Sequence, residues 1–405
     1  MGRTSLIMIM GFSTALMMFG FDLSKVSTAA YENYIGYYER TTAHNIAGSV
    51  ANMACNEFFR DSTWSASSYN TMSIFGGTAK ATIQKFSVGD QKHARLIVST
   101  QYLNARDTVV VLWGQSRFSK FAYYSNVEGS IWWVTGDTVW GPFHTQDKMR
   151  AAGTPVFQGK ATNRDGLILK DTAAHPQFLG GYQTGVSVSL PNDMSTIENS
   201  ASAGGRLITG VNTVYITFNA DGTLNHKIGS ASWVNNVNIS TWAPNGVICV
   251  RNGDLRVQGT VNGKVTIAAT GSTRGRVYLD DDIKYAADPR VGPSDDIMGI
   301  CAQNNIIMTD NTANQTNIQI DAALFSLNGG LSAEDYSSGD PRGVIDLYGG
   351  ITQNSRQAVG TFTGTPPVIN HGYRKNYRYD SRLMQEAPPY FPLTGVYEIL
   401  SWYEK

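Results

Sequence analysis

The sequence predicts a mainly β protein with a long N-terminal α-helix: the helix packs on an antiparallel sheet, and a β-solenoid (β-helix) follows. The N-terminal segment keeps a helical repeat of apolar residues without proline, residues 70–140 alternate as strands, and residues 246–269 hold short β-branched runs cut by Asn-Gly and Gly. The predicted domains are a hydrophobic and amphipathic helix at 1–60, an antiparallel sheet packed on it at 61–140, a β-solenoid at 141–371 with a polar insertion near 170–206, and an aromatic C-terminal cap at 372–405.

The predicted helix begins with an apolar run at residues 6–21, preceded by Arg3. At 1.5 Å per residue this run would extend about 24 Å, slightly less than the ~30 Å hydrocarbon core of a bilayer. The first proline of the chain is Pro142, and apolar residues between Leu23 and Phe58 recur mostly at helical spacing. A continuous helix from about residue 4 to 60 would be roughly 85 Å long.

Three interpretations of the apolar run remain open. It could be a secretory signal cleaved at the small residues 27–29, a retained membrane anchor, or the hydrophobic head of a helix that assembles with other helices. A simple signal peptide needs no long helical continuation, which favours the last two. The tyrosines suit an assembly stripe and equally suit packing against the following sheet. The candidate membrane or assembly residues are Leu6, Ile7, Ile9, Phe12, Leu16, Phe19, Phe21, Tyr34 and Tyr37.

The predicted sheet follows the helix. Its antiparallel strands are expected at residues 81–88, 95–101, 108–113, 118–124 and 131–134. The alternation in residues 82–88 suits a sheet with one wet face. Trp132, Trp133 and Trp140 are expected to pack this sheet onto the solenoid rather than to stack on sugars.

The solenoid prediction depends on strand length and spacing. Apolar strand starts recur about 20 residues apart, at Val247, Val265, Ile300, Ile320 and Ile345, which suits one coil per repeat. Many runs are only about three to five residues long, which is short for a sandwich. An antiparallel sandwich of the same strands remains the alternative. The aromatic, proline-bearing tail is expected to cover the open end of the solenoid, because a bare strand edge needs covering.

Charge and cysteine content exclude several classes. Basic and acidic residues balance at 32 each, so no basic field attracts nucleic acid. The three cysteines do not form a disulfide framework and are expected to be small buried residues. A Cys249–Cys301 bridge between coils remains an alternative.

The sequence carries no strong catalytic motif, and we predict no catalytic residue, metal site or cofactor. The sharpest cluster is Asp280-Asp281-Asp282, with Asp295, Asp296 and Asp310 nearby. Consecutive aspartates in a strand point to opposite faces, so the favoured interpretation is a solvated turn, ahead of calcium binding or catalysis. His144 and His371 are expected to make structural hydrogen bonds. The basic group of Arg374, Lys375, Arg378 and Arg382 is expected to form salt bridges.

The basic start, apolar head and amphipathic segment 39–47 resemble the N-terminus of pilin-like proteins, especially the PilX type of type IV pilus-assembly component. The segments 138–145, 349–354 and 377–382 resemble pilus-associated envelope proteins with a β-helical body. The resemblance implies a helix that a concave sheet wraps. One departure concerns processing: cutting after Gly11 would place Leu16 at the fifth mature position, where type IV pilins carry glutamate. Standard prepilin processing and filament registry are therefore not implied.

Together these observations predict a non-enzymatic structural component of the cell envelope, exported to the surface or to an extracellular filament. Its partners would be the membrane or other pilin-like subunits through the N-terminal helix, with self-assembly into filaments or a surface polysaccharide as further candidates, and no nucleic acid. The alternative is a secreted β-helix that binds or degrades polysaccharide at residues 280–296. A scaffold inside the cell is less favoured, because of the helical anchor.

Overall fold

The structure is a computed structural model that describes residues 2–88, 90–363 and 368–405. The chain forms two compact units, which we describe separately. The first comprises Met1–Gln115 and Val396–Lys405, and the second comprises Ser116–Gly395.

The chain is mainly β with one long N-terminal helix, as the sequence predicts. The helices are α1 (Gly2–Arg60), α2 (Ser195–Gly204) and α3 (Ile239–Trp242). The early strands are β1 (Met72–Ile74), β2 (Gly77–Val88), β3 (Gln91–Tyr102) and β4 (Ala105–Arg117). They are followed by β5 (Tyr123–Val127), β6 (Trp133–Val134), β7 (Thr138–Val139), β8 (Phe143–Thr145), β9 (Met149–Ala152), β10 (Val156–Phe157), β11 (Ala161–Asn163), β12 (Leu167–Leu169), β13 (Gln177–Phe178), β14 (Tyr182–Thr184), β15 (Arg206–Ile208), β16 (Thr213–Phe218), β17 (Thr223–Ile228) and β18 (Val234–Asn238). The later strands are β19 (Val247–Arg251), β20 (Asp254–Val261), β21 (Lys264–Thr270), β22 (Val277–Tyr285), β23 (Ile297–Ala302), β24 (Ile306–Met308), β25 (Ile318–Ser326), β26 (Leu331–Ala333), β27 (Pro341–Ser355), β28 (Gly360–Thr363), β29 (Val368–Tyr379) and β30 (Leu393–Glu404).

In the first unit, α1 is one continuous helix of 59 residues, which confirms the predicted helix. Its second half packs one face on the sheet. The buried positions follow helical spacing, with small residues that allow close approach: Ala43, Ile46, Ala47, Val50, Ala51, Ala54, Cys55 and Phe58.

The sheet of the first unit has the order β1-β2-β3-β4-β30. The β2–β3 and β3–β4 pairs are antiparallel, with Ala81 opposite Val98 and Leu96 opposite Val111. Alternate residues of β3 and β4 face the helix and join one apolar cluster with it. The three predicted antiparallel strands between residues 81 and 113 are therefore present.

The second unit is built on one long parallel ladder. Its strand order is β15-β19-β21-β23-β25-β27-β5-β8-β11-β14. The strands are in register, so apolar side chains from successive strands stack in one inner row: Ile248, Ile267, Ile300, Leu324, Ile351, Tyr123, Phe143 and Ala161. Residues 123–184 thus extend the ladder beyond β27, although they come earlier in the chain.

Further parallel ladders accompany the long one. One has the order β16-β20-β22-β24-β26. A second joins β22, β25, β27 and β29, where Ile283, Ile320, Leu347 and Tyr377 are paired in succession. Two more are the short sheets β6-β9-β12 and β7-β10-β13. Because these ladders are parallel, the strands of the second unit do not form the antiparallel sandwich that was the alternative prediction. Antiparallel pairing in the second unit includes β16-β17-β18 and β28-β29.

Two predicted strands of the first sheet lie elsewhere. Residues 118–120 form a 3-10 helix before β5, and β6 pairs in parallel with β9. The predicted sheet boundary at residue 140 also differs from the division of the compact units, since β5–β7 pair with strands of the second unit. The aromatic tail, predicted as a single cap, is divided: β29 pairs in parallel with β27, and β30 lies beside β4. The spacing of apolar residues within the tail does not indicate which strand of the rest of the chain each tail strand will pair with.

Candidate assembly interface and other polar sites

The first part of α1 is exposed throughout. Every described residue from 2 to 35 is exposed, and the first buried residue of the helix is Glu39. The predicted interface residues Leu6, Ile7, Ile9, Phe12, Leu16, Phe19, Phe21, Tyr34 and Tyr37 are each between 62 and 73% exposed. The structure places all nine on this part of the helix, and their role in membrane or assembly contacts stays a prediction.

The apolar run has no polar face for water. Consecutive apolar residues at 6–10 pass around the helix at 100° per residue, so the surface is apolar on all sides. Burying one large apolar side chain contributes about 1.5–3 kcal/mol, and the chain leaves all of those in this run exposed. By length and composition α1 could cross a membrane. This stretch therefore requires apolar surroundings from outside the described chain.

From Asp22 onward the exposed helix becomes amphipathic. Tyr31, Tyr34 and Tyr38 share one face at i, i+3 and i+7 spacing. Tyr38 alone of these reaches the sheet, with its ring 6.2 Å from that of Tyr102. Packing on the sheet thus accounts for Tyr38 but not for Tyr34 or Tyr37, both 67% exposed.

Polar contacts hold the helix where its buried half begins. His44 Nδ1 lies 2.9 Å from Asp107 Oδ2. The Thr100 hydroxyl donates to the Ala43 carbonyl at 3.0 Å. These bonds join α1 to β3 and β4, so the exposed half leaves the sheet at a defined point.

The aspartate triplet lies in a strand rather than in a solvated turn, so that prediction was wrong. In β22, Leu279 is opposite Val257 and Ile283 is opposite Gly259, so the aspartates occupy a bulge between two regular pairs. A bulge accommodates extra residues while both flanking apolar side chains stay inside. This is why three aspartates fit here without disrupting the core.

The aspartates are already engaged. Asp280 Oδ1 accepts from Arg256 Nη2 at 2.6 Å, and Asp282 Oδ1 accepts from the backbone N–H of Gln319 at 2.7 Å. Asp296 accepts two backbone N–H groups, and Asp310 pairs with Arg342 at 3.1 Å. Over the described residues, no three His, Cys, Asp or Glu side chains form a group that could hold a metal. The structure therefore does not bring the acids of residues 280–296 together for calcium or for acid–base chemistry.

Both candidate histidines make structural hydrogen bonds. His144 is buried, with Nδ1 2.8 Å from the Thr162 hydroxyl and its ring stacked on Tyr124 at 5.3 Å. Burial lowers the pKa of His144 to about 4, so its ring is neutral at pH 7. His371 Nδ1 bonds the Gly339 carbonyl.

The three cysteines are buried and free, so the alternative of a Cys249–Cys301 bridge is incorrect. Cys249 and Cys301 are both paired with Ala268, one on each side, and are therefore two strands apart. Two strand spacings separate them by about 9–10 Å, beyond the reach of a disulfide. Burial raises the pKa of the Cys249 thiol to about 12.

The predicted basic patch has more than one environment. Arg382 forms an ion pair with buried Asp380, with Nη2 and Oδ2 2.6 Å apart. The side chain of Lys375 has no hydrogen bond or ion pair with any described residue, and it lines a cavity.

The sequence analysis missed a buried ion pair beside that cavity. Glu128 and Arg356 lie 228 positions apart, and their Oε2 and Nη1 atoms are 3.0 Å apart in a nearly sealed setting. Tyr123 and Trp133 also donate to this carboxylate, at 2.7 and 3.2 Å. No local pattern links such distant residues, because the pair forms only where β27 meets β5.

Comparison with known proteins shows little. No protein-family model and no curated protein matches the chain. Among solved structures, the chain is similar to the competence-associated pilin ComZ from Thermus thermophilus, at 11% identity, covering 91% of this chain and 97% of that chain with a TM-score of 0.35. So low a score does not establish a common fold.

Proposed function

We propose that this protein is a structural, non-enzymatic, pilin-like component of the cell envelope, of the PilX type, anchored by α1. The observation that supports it is the division of one continuous helix. Its residues 6–21 are apolar on all sides and wholly exposed, and its last part packs one face on an antiparallel sheet. A helix of this kind fixes a folded body to an apolar environment without a flexible linker.

The second unit is proposed to be a β-solenoid on the outer side of the membrane. Parallel, in-register pairing and the inner rows of stacked apolar side chains support this assignment. Such a body exposes side chains of successive coils along one direction. It would serve as the adhesive or filament-tip part of an exported protein.

Two partners are proposed for α1. Residues 6–21 would lie in the bilayer or among the equivalent helices of other pilin-like subunits, and the tyrosines at 34 and 37 would contact a neighbouring helix beyond them. Aromatic side chains at the border between apolar and aqueous regions support this order along the helix. The protein would then be found in the envelope, at the surface or in a filament.

The first test is the intact mass of the protein purified from its native envelope. A mass that retains residues 6–21 is expected, since those residues would be the anchor. A mature chain that starts near Ala30 would refute the proposal, because the apolar stretch would then be a removed signal.

A second test separates a filament from a solitary anchor. The native thiols are buried, so Phe19→Cys supplies an exposed one in the described chain. Assembly into a filament core brings residue 19 of neighbouring helices together and predicts a disulfide-linked dimer in oxidised membranes, since one accessible thiol per chain forms one disulfide. Val291→Cys is the matched control, since residue 291 is 85% exposed but outside the helix, and it should give no disulfide-linked dimer. If both variants stay monomeric, the helix is a membrane anchor of a single chain, and assembly of α1 with neighbouring helices is excluded.

A further inference from the structure

The second unit contains a cavity of about 80 Å³ where β27 meets β5, beside β6, β7 and β29. One water occupies about 10–15 Å³ by the same measure, so the cavity holds roughly five to eight waters. This is room for a molecule with about that many non-hydrogen atoms, and a larger ligand would extend out of the cavity. Its walls include Tyr123, Trp133, Asp137, Arg356, Lys375 and Tyr377.

Arg356 gives the cavity a buried cation with donors to spare. The side chain is 7% exposed, and its guanidinium lies over the Trp133 ring at 4.2 Å. Nη1 donates to Glu128, and the described residues supply no hydrogen-bond partner for its other two nitrogens. A guanidinium fixed by stacking and one ion pair is held ready for a further acceptor.

Lys375 adds a second cation to the wall of the cavity. It belongs to β29, next to Tyr377 on the same face two residues on. Its ammonium contacts no carboxylate within ion-pair distance in the described chain. Two cations therefore border one small cavity, and only one of them is neutralised by contact.

Most carboxylate oxygens near the cavity already accept hydrogen bonds from the protein itself. Glu128 accepts from Tyr123 and Ser125 at one oxygen and from Trp133 and Arg356 at the other. Asp137 Oδ2 accepts from the Val134 amide at 2.8 Å, which leaves its other oxygen for a hydroxyl donor. The cavity thus offers donors to a carboxylate and one acceptor to a hydroxyl.

We propose that this cavity binds a small hydroxy-carboxylate, with the carboxylate between Arg356 and Lys375 and a hydroxyl on Asp137. A free hydroxy acid and a uronic sugar share this chemistry. The site is separate from the anchor function of α1 and depends on different residues.

The test is isothermal titration calorimetry on the full chain in detergent micelles, with sodium lactate, sodium glucuronate and glucose as probes. We expect binding of at least one of the two carboxylates and none of glucose. Tighter binding of glucuronate identifies a uronic sugar, and equal or tighter binding of lactate identifies a free hydroxy acid. Binding of neither carboxylate, or of glucose as tightly as glucuronate, overturns the proposal.

Two variants place the binding in this cavity. Lys375→Gln keeps a polar side chain of similar length and should weaken carboxylate binding about tenfold, because a charge-assisted hydrogen bond is lost. Arg374→Gln is the matched control, since Arg374 is a neighbouring cation that is exposed like Lys375 but does not line the cavity. Equal affinity in the wild-type and Lys375→Gln proteins, or an equal loss in both variants, would show that the carboxylate binds elsewhere.

The pH dependence is a second readout. Lys375 is exposed to solvent like Arg374, but desolvation at the cavity wall and the neighbouring Arg356 lower the pKa of Lys375 to about 8. Carboxylate binding should therefore weaken as the pH rises from 7 to 9, and this dependence should vanish in Lys375→Gln. The other charged or titratable groups at the cavity are Arg356, Glu128, Asp137, Tyr123 and Tyr377, and burial raises the pKa of both tyrosines. An unchanged pH profile in Lys375→Gln would contradict the assignment of Lys375.

Discussion

The two halves of α1 share a backbone and have opposite surroundings. In the second half, apolar residues follow the face that meets the sheet, and Phe58 is 1% exposed while its neighbour Phe59 is 65% exposed. In the first half, apolar residues cover every side and all are exposed. The helix itself needs only the absence of proline and a run of good helix formers, which both halves provide.

The difference shows that the width of the apolar surface of a helix indicates what the helix packs against. A narrow apolar face predicts a partner on one side, which is the sheet of the same chain for residues 43–58. An apolar surface on all sides predicts surroundings on all sides, which a sheet cannot supply. The proposal of an anchor follows from this contrast within one helix.

The largest expected effect is in the buried half. Phe58→Ala removes a ring that packs edge-on against Trp113 and Tyr397 at 5.2 and 5.1 Å, and should lower the free energy of unfolding by about 3–5 kcal/mol. Chemical unfolding in detergent, followed by tryptophan fluorescence, measures the loss.

Phe59→Ala is the control for the same residue type one position away. Its ring is exposed, so the change in the free energy of unfolding should stay within about 0.5 kcal/mol. Equal losses in the two variants would mean that the helix is buried on a different face from the one described.

The sequence predicted α1 and the first antiparallel strands because their signals are local. Helical spacing and β alternation are set by residues a few positions apart. The pairing of β27 with β5 joins Ile351 to Tyr123, and no local signal reports such a partner. For the same reason the divided tail and the 3-10 helix at 118–120 were missed.

Prediction of the candidate sites is limited in the same way, because only residues close together in the sequence form a recognisable pattern. The nine interface residues were chosen from an apolar run, which is visible in sequence. Glu128 and Arg356 are ordinary charged residues in polar segments until the fold buries them together. The aspartate triplet attracted attention by composition, yet a bulge and nearby arginine account for it.

The second prediction tests the exposed half. Phe12→Asp places a charge near the middle of residues 6–21, which should cost about 2.5–3.5 kcal/mol of membrane insertion. We expect a much smaller fraction of the protein in membranes after an alkaline wash, with the unfolding of the sheet unchanged. Phe59→Asp, on the exposed face of the buried half, should leave the membrane fraction as in wild type. Full membrane retention of Phe12→Asp would show that this stretch is not the anchor.

The third prediction compares two glycines at the sheet and the helix. A Cβ at Gly77 would lie 2.8 Å from both the Gln101 carbonyl oxygen and Ile46 Cδ1, so Gly77→Ala should destabilise the first unit by about 1–3 kcal/mol. A Cβ at Gly48 would have nothing within 4 Å, so Gly48→Ala should stabilise the helix by up to about 1 kcal/mol. Thermal unfolding of the two variants should shift in opposite directions. A shift of both in the same direction would contradict the close approach of α1 to β2.

The smallest effect is expected where the two halves of α1 meet. His44 is half-exposed, and it lies 2.9 Å from Asp107 and 3.5 Å from Glu404. Exposed ion pairs contribute about 0–1 kcal/mol, and Asp107 keeps its bond from the Thr108 amide at 2.6 Å, so His44→Ala should lower the free energy of unfolding by less than about 1 kcal/mol. Ala51→Ser, at a wholly buried position nearby, should cost more, because it puts a hydroxyl into the apolar contact with the sheet. If the loss for His44→Ala were the larger one, polar contacts rather than apolar packing would determine where α1 leaves the sheet.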